Sequence, residues 1–284
     1  MFAVVYSGAR HADWRLIEKG KVLIEFKTKG INPFFHDEKY ITQLLNKTND
    51  LVNYAEAIKK IFFFGAGATI PERKETISTS LALFFRYAKV FVEHDLQAAA
   101  LACANDERAI ICVIGSGSNA TYFDGKKTID NNFGLGYLLG DEGSANWLGR
   151  IILRDWLYER IPKDFLALLK ETHDYDRNLI LERVYKQPNP EQFLCSFVDI
   201  LMEHRTHTYV QSLIKNGFNI FLNTYVKSLQ KRHGSTLPIH FVGTVAANFQ
   251  DYLREIATTK NITITTVTKE PIYNLVNYYA NKIH

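Results

Sequence analysis

Apolar positions fall into short runs at strand and helix spacing along most of the chain. Residues 2–6 are an unbroken apolar run that predicts a strand, and Ser7-Gly8-Ala9-Arg10-His11-Ala12 reads as a tight turn after it. Residues 13–18 and 21–27 alternate as two more strands, and Lys19-Gly20 between them predicts a hairpin. Tyr40, Leu44, Leu45, Leu51, Val52 and Ala55 recur at helical spacing, which predicts one helix over residues 37–58. Then follow a strand (60–64), a helix (71–85), a strand (88–92) and a small-residue helix (96–104). The order is three strands, helix, strand, helix, strand, helix.

The second half begins alike, with strands predicted at 109–114, 119–123 and 126–129 and a helix over 142–157. Residues 162–232 are helical in pattern nearly throughout, interrupted near Pro188 and Pro190. A strand (239–242), a helix (246–257), a strand (262–267) and a last helix from Pro271 close the chain. If 162–232 is an insertion, both halves share one element order, although no residue-level repeat links them. Two such halves make an α/β protein of two lobes around a central cleft, and ligands of open α/β sheets gather at strand ends.

Composition narrows the class. The chain has 284 residues, room for two modest domains, and a formal net charge of +4 with no dominant Lys/Arg run. Nucleic acid is therefore not the expected partner. No segment reaches the roughly 18 apolar residues of a membrane span, and the apolar start lacks the features of a signal peptide. Cys103, Cys112 and Cys195 lie far apart in apolar surroundings, as reduced thiols of a cytoplasmic protein do.

Four segments carry chemistry. Asp95 stands at a predicted strand end, where a carboxylate is placed to take a proton from a hydroxyl or to cap the next helix. Gly115-Ser116-Gly117-Ser118-Asn119 forms either a backbone nest for an anion or a simple hairpin turn. Residues 134–143 hold four glycines in ten, a composition that suits close backbone approach, and Asp141 and Glu142 read as opening a helix. Gly243-Thr244 makes a late strand-to-helix turn. Elsewhere, His204 and His207 lie three apart without a third metal ligand near, Phe62, Phe63 and Phe64 read as core packing, and Leu275, Val276 and Tyr279 share one helix face.

In this order, Asp95, Gly115-Ser116-Gly117-Ser118-Asn119, Leu139-Gly140-Asp141-Glu142-Gly143-Ser144 and Gly243-Thr244-Val245 resemble the N-acetylglucosamine kinase family. That family belongs with the benzoyl-CoA-reductase-activating ATPases in the actin-like and sugar-kinase superfamily. Gly-Asp-Glu-Gly-Ser is the most specific match, Asn32-Pro33-Phe34-Phe35 is similar to the family's sugar-contacting loop, and the resemblance covers nearly the whole chain. It implies two actin-like (ribonuclease H-like) lobes. The first is 1–105 with the helix of 270–284 packing back on it. The second is 106–269, with a helical insertion at about 160–232. It also implies Asp95 as catalytic base, Asn32, Ser116, Gly117, Asn119 and Asp141 as sugar-binding residues, and Ser7, Gly8, Arg10, Gly117, Ser118, Gly243 and Thr244 around the nucleotide. No protein-held metal residue is implied. ATP and Mg²⁺ are the implied cofactors, an amino sugar the implied substrate and the cytoplasm the implied place, with room for a homodimer.

One stretch departs from the family pattern. Members begin with a strand and then Asp-(Ser/Gly)-Gly-(Ser/Gly)-Thr-Lys-Thr; here Tyr6 stands in place of the acidic residue, and Arg10 and Ala12 replace the threonines. One lost preorganised contact costs about 3 kcal/mol, or about a hundredfold in rate. Two readings follow: an amino-sugar kinase, or a catalytically impaired pseudokinase that senses a sugar or cell-wall fragment.

Overall fold

Among the described residues, ten strands form two five-stranded sheets that share one plan. The computed structural model describes residues 1–8, 11–129, 132–173 and 175–282. The first sheet is built from β1 (Phe2–Ser7), β2 (His11–Glu18) and β3 (Lys21–Lys29). Helices α1 (Glu38–Asn46) and α2 (Asn49–Tyr54) lead to β4 (Lys60–Gly65), and α3 (Pro71–Phe84) leads to β5 (Lys89–His94) and α4 (Asp95–Ala104). The sheet order is β3-β2-β1-β4-β5, antiparallel from β3 to β1 and parallel from β1 to β5.

The second sheet takes β6 (Ala109–Ile114), β7 (Ser118–Phe123) and β8 (Thr128–Ile129). Helices α5 (Gly136–Leu139) and α6 (Ala145–Leu157) follow. Next comes a helical run: α7 (Lys163–Thr172), α8 (Arg177–Tyr185), α9 (Pro190–Cys195), α10 (Val198–Glu203) and α11 (Thr208–Phe221). A π-helical turn (Leu222–Val226) joins α11 to α12 (Lys227–His233). Then come β9 (Ile239–Val242), α13 (Thr244–Asn248), α14 (Gln250–Thr258), β10 (Thr266–Thr268) and α15 (Ile272–Lys282). The order is β8-β7-β6-β9-β10, with β6 antiparallel to β7 and parallel to β9, and β9 parallel to β10.

By packing, the chain divides into two units. One holds Met1–Glu107, Gly125–Thr128 and the C-terminal segment from Glu270; the other holds Arg108–Asp124 and Ile129–Lys269. In the first unit β1 is apolar on both faces because it lies at the centre of the sheet, whereas β3 is an edge and carries lysines. The core joins Trp14, Ile61, Phe63, Leu81 and Phe85, and Trp14 stacks on Phe26 at 5.9 Å. Phe62 stands on the other face of the sheet. There it stacks on Tyr279 of α15 at 4.0 Å, and Leu275 and Val276 of the same helix are buried. In the second unit α6, α9, α11 and the π-helical turn surround a core of Trp147, Leu148, Phe218, Phe221 and Phe241.

Several boundaries differ from the sequence pattern; among them, the predicted helix 246–257 is two, α13 and α14, and the predicted strand 126–129 is Thr128–Ile129. The apolar run of 37–58 is two helices, broken where Lys47 ends α1 and Thr48 takes an extended backbone. Residues 142–144 lie before the helix rather than in it. Ser144 caps α6 by accepting the Trp147 N–H, and Asp141 has the left-handed φ of 59°. The predicted strand 262–267 shrinks to Thr266–Thr268.

Candidate active site

In the first unit, β1 turns into β2 through a link closed by the Gly8 N–H on the His11 carbonyl (2.9 Å). Arg10 lies outside the described residues. Ser7 is fully buried. Its hydroxyl donates to the Ile31 carbonyl (3.0 Å) and accepts from the Ile31 N–H (2.8 Å). That hydroxyl is committed to the protein, so Ser7 fastens the loop after β3 to the end of β1. Tyr6, one residue earlier, has its phenol pushed far up by burial and by the carboxylates of Asp95 and Asp13. A protonated hydroxyl therefore stands at position 6.

The loop after β3 presents Asn32. Its backbone carbonyl accepts the N–H groups of Phe35 (3.0 Å) and His36 (2.9 Å), and its Oδ1 accepts the Phe34 N–H (2.9 Å). Gly67, at the left-handed φ of 82°, lies so close that an added Cβ would meet Oδ1 at 2.2 Å. Asn32 Nδ2 has no protein acceptor among the described residues, so this amide is held still with its donor unused. Beside it, Phe34 and Phe35 stand 60% and 52% exposed, and the Arg73 guanidinium lies 4.4 Å above the Phe34 ring.

Asp95 is the first residue of α4. The alternative reading of this carboxylate was a helix cap, and the structure gives that task to its neighbour: His94 is the capping residue, and its Nδ1 accepts the Leu96 N–H at 3.4 Å. Asp95 Oδ1 lies 3.1 Å from the same ring nitrogen. The carboxylate keeps partial exposure at the end of β5.

In the second unit, Gly115-Ser116-Gly117 is the three-residue turn of the β6–β7 hairpin, closed by the Gly115 N–H on the Gly117 carbonyl (2.9 Å). The turn is tied down from behind. The Ala145 and Asn146 N–H groups at the start of α6 donate to the carbonyls of Gly115 (2.9 Å) and Ser116 (3.1 Å). Asp141, 7% exposed, is the knot: Oδ1 accepts the Ser118 N–H (3.0 Å) and Oδ2 accepts the Asn146 side-chain amide (2.7 Å). Burial pushes its carboxyl above the ordinary range, against the pull of those two hydrogen bonds. Gly117 is glycine because the carboxylate leaves no room, with an added Cβ at 3.0 Å from Oδ2. The Ser118 hydroxyl donates to the Glu142 carbonyl (2.9 Å), and Tyr225 in the π-helical turn donates to the Glu142 carboxylate.

Asn119 is also flanked by a glycine, but on the nitrogen side of its amide. Its Oδ1 accepts the Ala120 N–H (2.8 Å), and Gly134, φ 75°, meets its amide so closely that an added Cβ would lie 2.6 Å from Nδ2. Gly243, at φ 121°, lets the β9–α13 turn lie against β6, with an added Cβ only 2.4 Å from the Ile114 carbonyl oxygen. Thr244 next to it is exposed.

Each unit thus gathers its own expected residues: Ser7, Gly8, Asn32 and Asp95 in the first, and Ser116, Gly117, Ser118, Asn119, Asp141, Gly243 and Thr244 in the second. The sequence reading gave no supporting role to Gly67, His94, Asn146 or Gly134, and did not pair Glu142 with Tyr225. For Gly67, Gly134 and the Glu142–Tyr225 pair no spacing signal exists, since each meets a residue far away in sequence. Among the described residues, no group of three or more His, Cys, Asp or Glu is arranged to hold a metal ion. His207 instead caps α11 and pairs with Asp164.

No family model and no curated protein matches the chain. Solved structures do. Two are described as putative N-acetylglucosamine kinases. The one from Porphyromonas gingivalis is 32% identical over 99% of both chains, with a TM-score of 0.92. The one from Chromobacterium violaceum is 16% identical over 98% of this chain and 99% of its own, with a TM-score of 0.69. A ROK family glucokinase from Streptomyces griseus, solved with glucose and AMPPNP, is 14% identical over 99% and 98%, with a TM-score of 0.57. The last two show the fold alone, the actin-like two-lobed fold of sugar kinases. The first shows more, and the chain belongs with the Porphyromonas gingivalis protein in one family of actin-like sugar kinases.

Proposed function

We propose that the protein is an ATP-dependent kinase of an amino sugar of the N-acetylglucosamine kind, acting in the cytoplasm. The observation that carries this reading is Asp95: a partly exposed carboxylate at a strand end, relieved of helix capping by His94. In the proposed step Asp95 accepts the proton of a sugar hydroxyl, whose oxygen bonds to the γ-phosphorus as the bond to the ADP oxygen breaks. The products are a sugar phosphate, ADP and a proton passed to solvent. Asn32 and Asn119 offer fixed amide donors to sugar hydroxyls or to an acetamido carbonyl, and Ser116 offers a hydroxyl. Asp141 supports the Gly117-Ser118 backbone. Ser7 acts by positioning Asn32, while Gly8, Ser118, Gly243 and Thr244 lie toward the nucleotide.

The test is Asp95→Asn. Sugar-dependent ADP release should fall by at least about a hundredfold, the scale of one catalytic proton transfer, while calorimetry still detects the sugar. Unchanged turnover would remove Asp95 from the role.

Tyr6 favours a second reading, a pseudokinase that binds sugar without transferring phosphate. A protonated phenol in place of a carboxylate offers less to the metal of a nucleotide. Calorimetry with Mg²⁺-ATP, with and without N-acetylglucosamine, separates the two. Nucleotide binding strengthened by sugar supports the kinase; sugar binding with no nucleotide binding supports the sensor.

A further inference from the structure

The second unit holds a groove of about 450 Å³ lined by Trp147, Arg150, Ile151 and Arg154 of α6 and by Asn216 and Ile220 of α11. None of the residues assigned above to sugar or nucleotide lines it. Its lining combines three apolar side chains with two arginines and one asparagine. Arg150 and Arg154 stand four apart on one helix, so they are neighbours on its surface. Arg154 is 52% exposed, and its one ion-pair contact is distant, 3.7 Å to Asp155, whose other oxygen accepts from Tyr209. Arg150 donates to the backbone carbonyls of Leu138 (2.5 Å) and Gly140 (3.4 Å). Its guanidinium therefore connects the groove to the glycine-rich loop that precedes Asp141.

A guanidinium has five N–H donors, so Arg150 keeps donors beyond the two carbonyls it holds; with Arg154 beside it the pair suits a phosphoryl group, and the apolar lining suits the body of the molecule carrying it. The groove's walls also run to the candidate site. Gly143 packs on Gly217 of α11, where an added Cβ would lie 2.9 Å from the Gly143 Cα, and the first N–H groups of α6 hold the Gly115-Ser116 turn.

We propose that this groove is a second ligand site, for a small phosphomonoester whose phosphoryl group seats on Arg150 and Arg154 and whose body lies on Ile151 and Ile220. The proposal does not depend on the kinase reading. Its test is calorimetry on the full chain with glucose 6-phosphate and with inorganic phosphate, in wild type and in Arg154→Ala. The expected result is binding of the ester at least tenfold tighter than inorganic phosphate, weakened at least tenfold in Arg154→Ala, whose melting temperature stays that of wild type. Hydrogen exchange at Leu138–Gly140 should change when the ester is added to wild type and not to the variant. No binding, equal binding of ester and phosphate, equal binding in the variant, or an unchanged exchange rate at the loop would overturn it.

Discussion

Gly67 shows how much of a candidate residue's chemistry is decided by a neighbour without a side chain. Asn32 is held because Gly67 lies flat against its Oδ1. Gly67→Ala would place a methyl 2.2 Å from that oxygen and force a non-glycine residue into the left-handed region, which costs about 1 kcal/mol or more. The amide must then leave its place. The expected outcome is a sugar KM raised about tenfold, the equivalent of one lost hydrogen bond, with kcat changed much less. Steady-state kinetics checks this, and an equal fall in kcat at unchanged KM would contradict it. At this scale a motif points to candidate positions, as at Asp95, Asn119 and Asp141. The sequence was silent on partners: nothing at position 67 or 134 announces which amide it supports, because the pairing is made by the fold. Nor does the motif show that Ser7's hydroxyl is tied to Ile31.

Between elements, the glycines of the Gly-Asp-Glu-Gly-Ser run divide their work. Gly143 serves packing: it meets Gly217 across the gap to α11, and Trp147 fills the space beside them at 3.1 Å from an added Cβ. Gly217→Ala would overpack this crossing, at about 1–3 kcal/mol. In a chain of this size the melting temperature should fall by several degrees, as calorimetric scanning would show; an unchanged melt would mean that α11 shifts freely. Strand positions were legible because buried parallel strands read as unbroken apolar runs. Helix starts were less so. Acidic residues at 141 and 142 look like a helix's first turn, yet burial of Asp141 among backbone donors outweighs helix continuation, and Ser144 takes the cap. The gap between α1 and α2 was hidden because apolar spacing continues across Thr48.

Over the whole molecule, the repeated strand order was the strongest feature of the sequence, and both sheets carry it. The helical run of the second unit was also readable from pattern, whereas the packing of α15 in the first unit was an expectation of the family resemblance alone. In α15, Ile272, Leu275 and Val276 are buried in the first unit. At about 1.5–3 kcal/mol each, they contribute roughly as much as the net stability of an ordinary domain. A chain ending at Glu270 should therefore lose the folded first unit, visible as a lost thermal transition; a wild-type melt would contradict it.

The segment Gly125–Thr128 has a further consequence. Gln97, in α4, accepts the Thr128 N–H (2.9 Å) and donates to the Lys126 carbonyl (3.0 Å), and Gly125 presses on the Asp106 carbonyl, with an added Cβ at 2.6 Å. The chain thus leaves the first unit, comes back for four residues, leaves again and returns at Glu270. No single peptide-bond cut yields two self-sufficient pieces. A protease nick between the units should leave the fragments associated, and neither half can be borrowed whole as a contiguous gene segment.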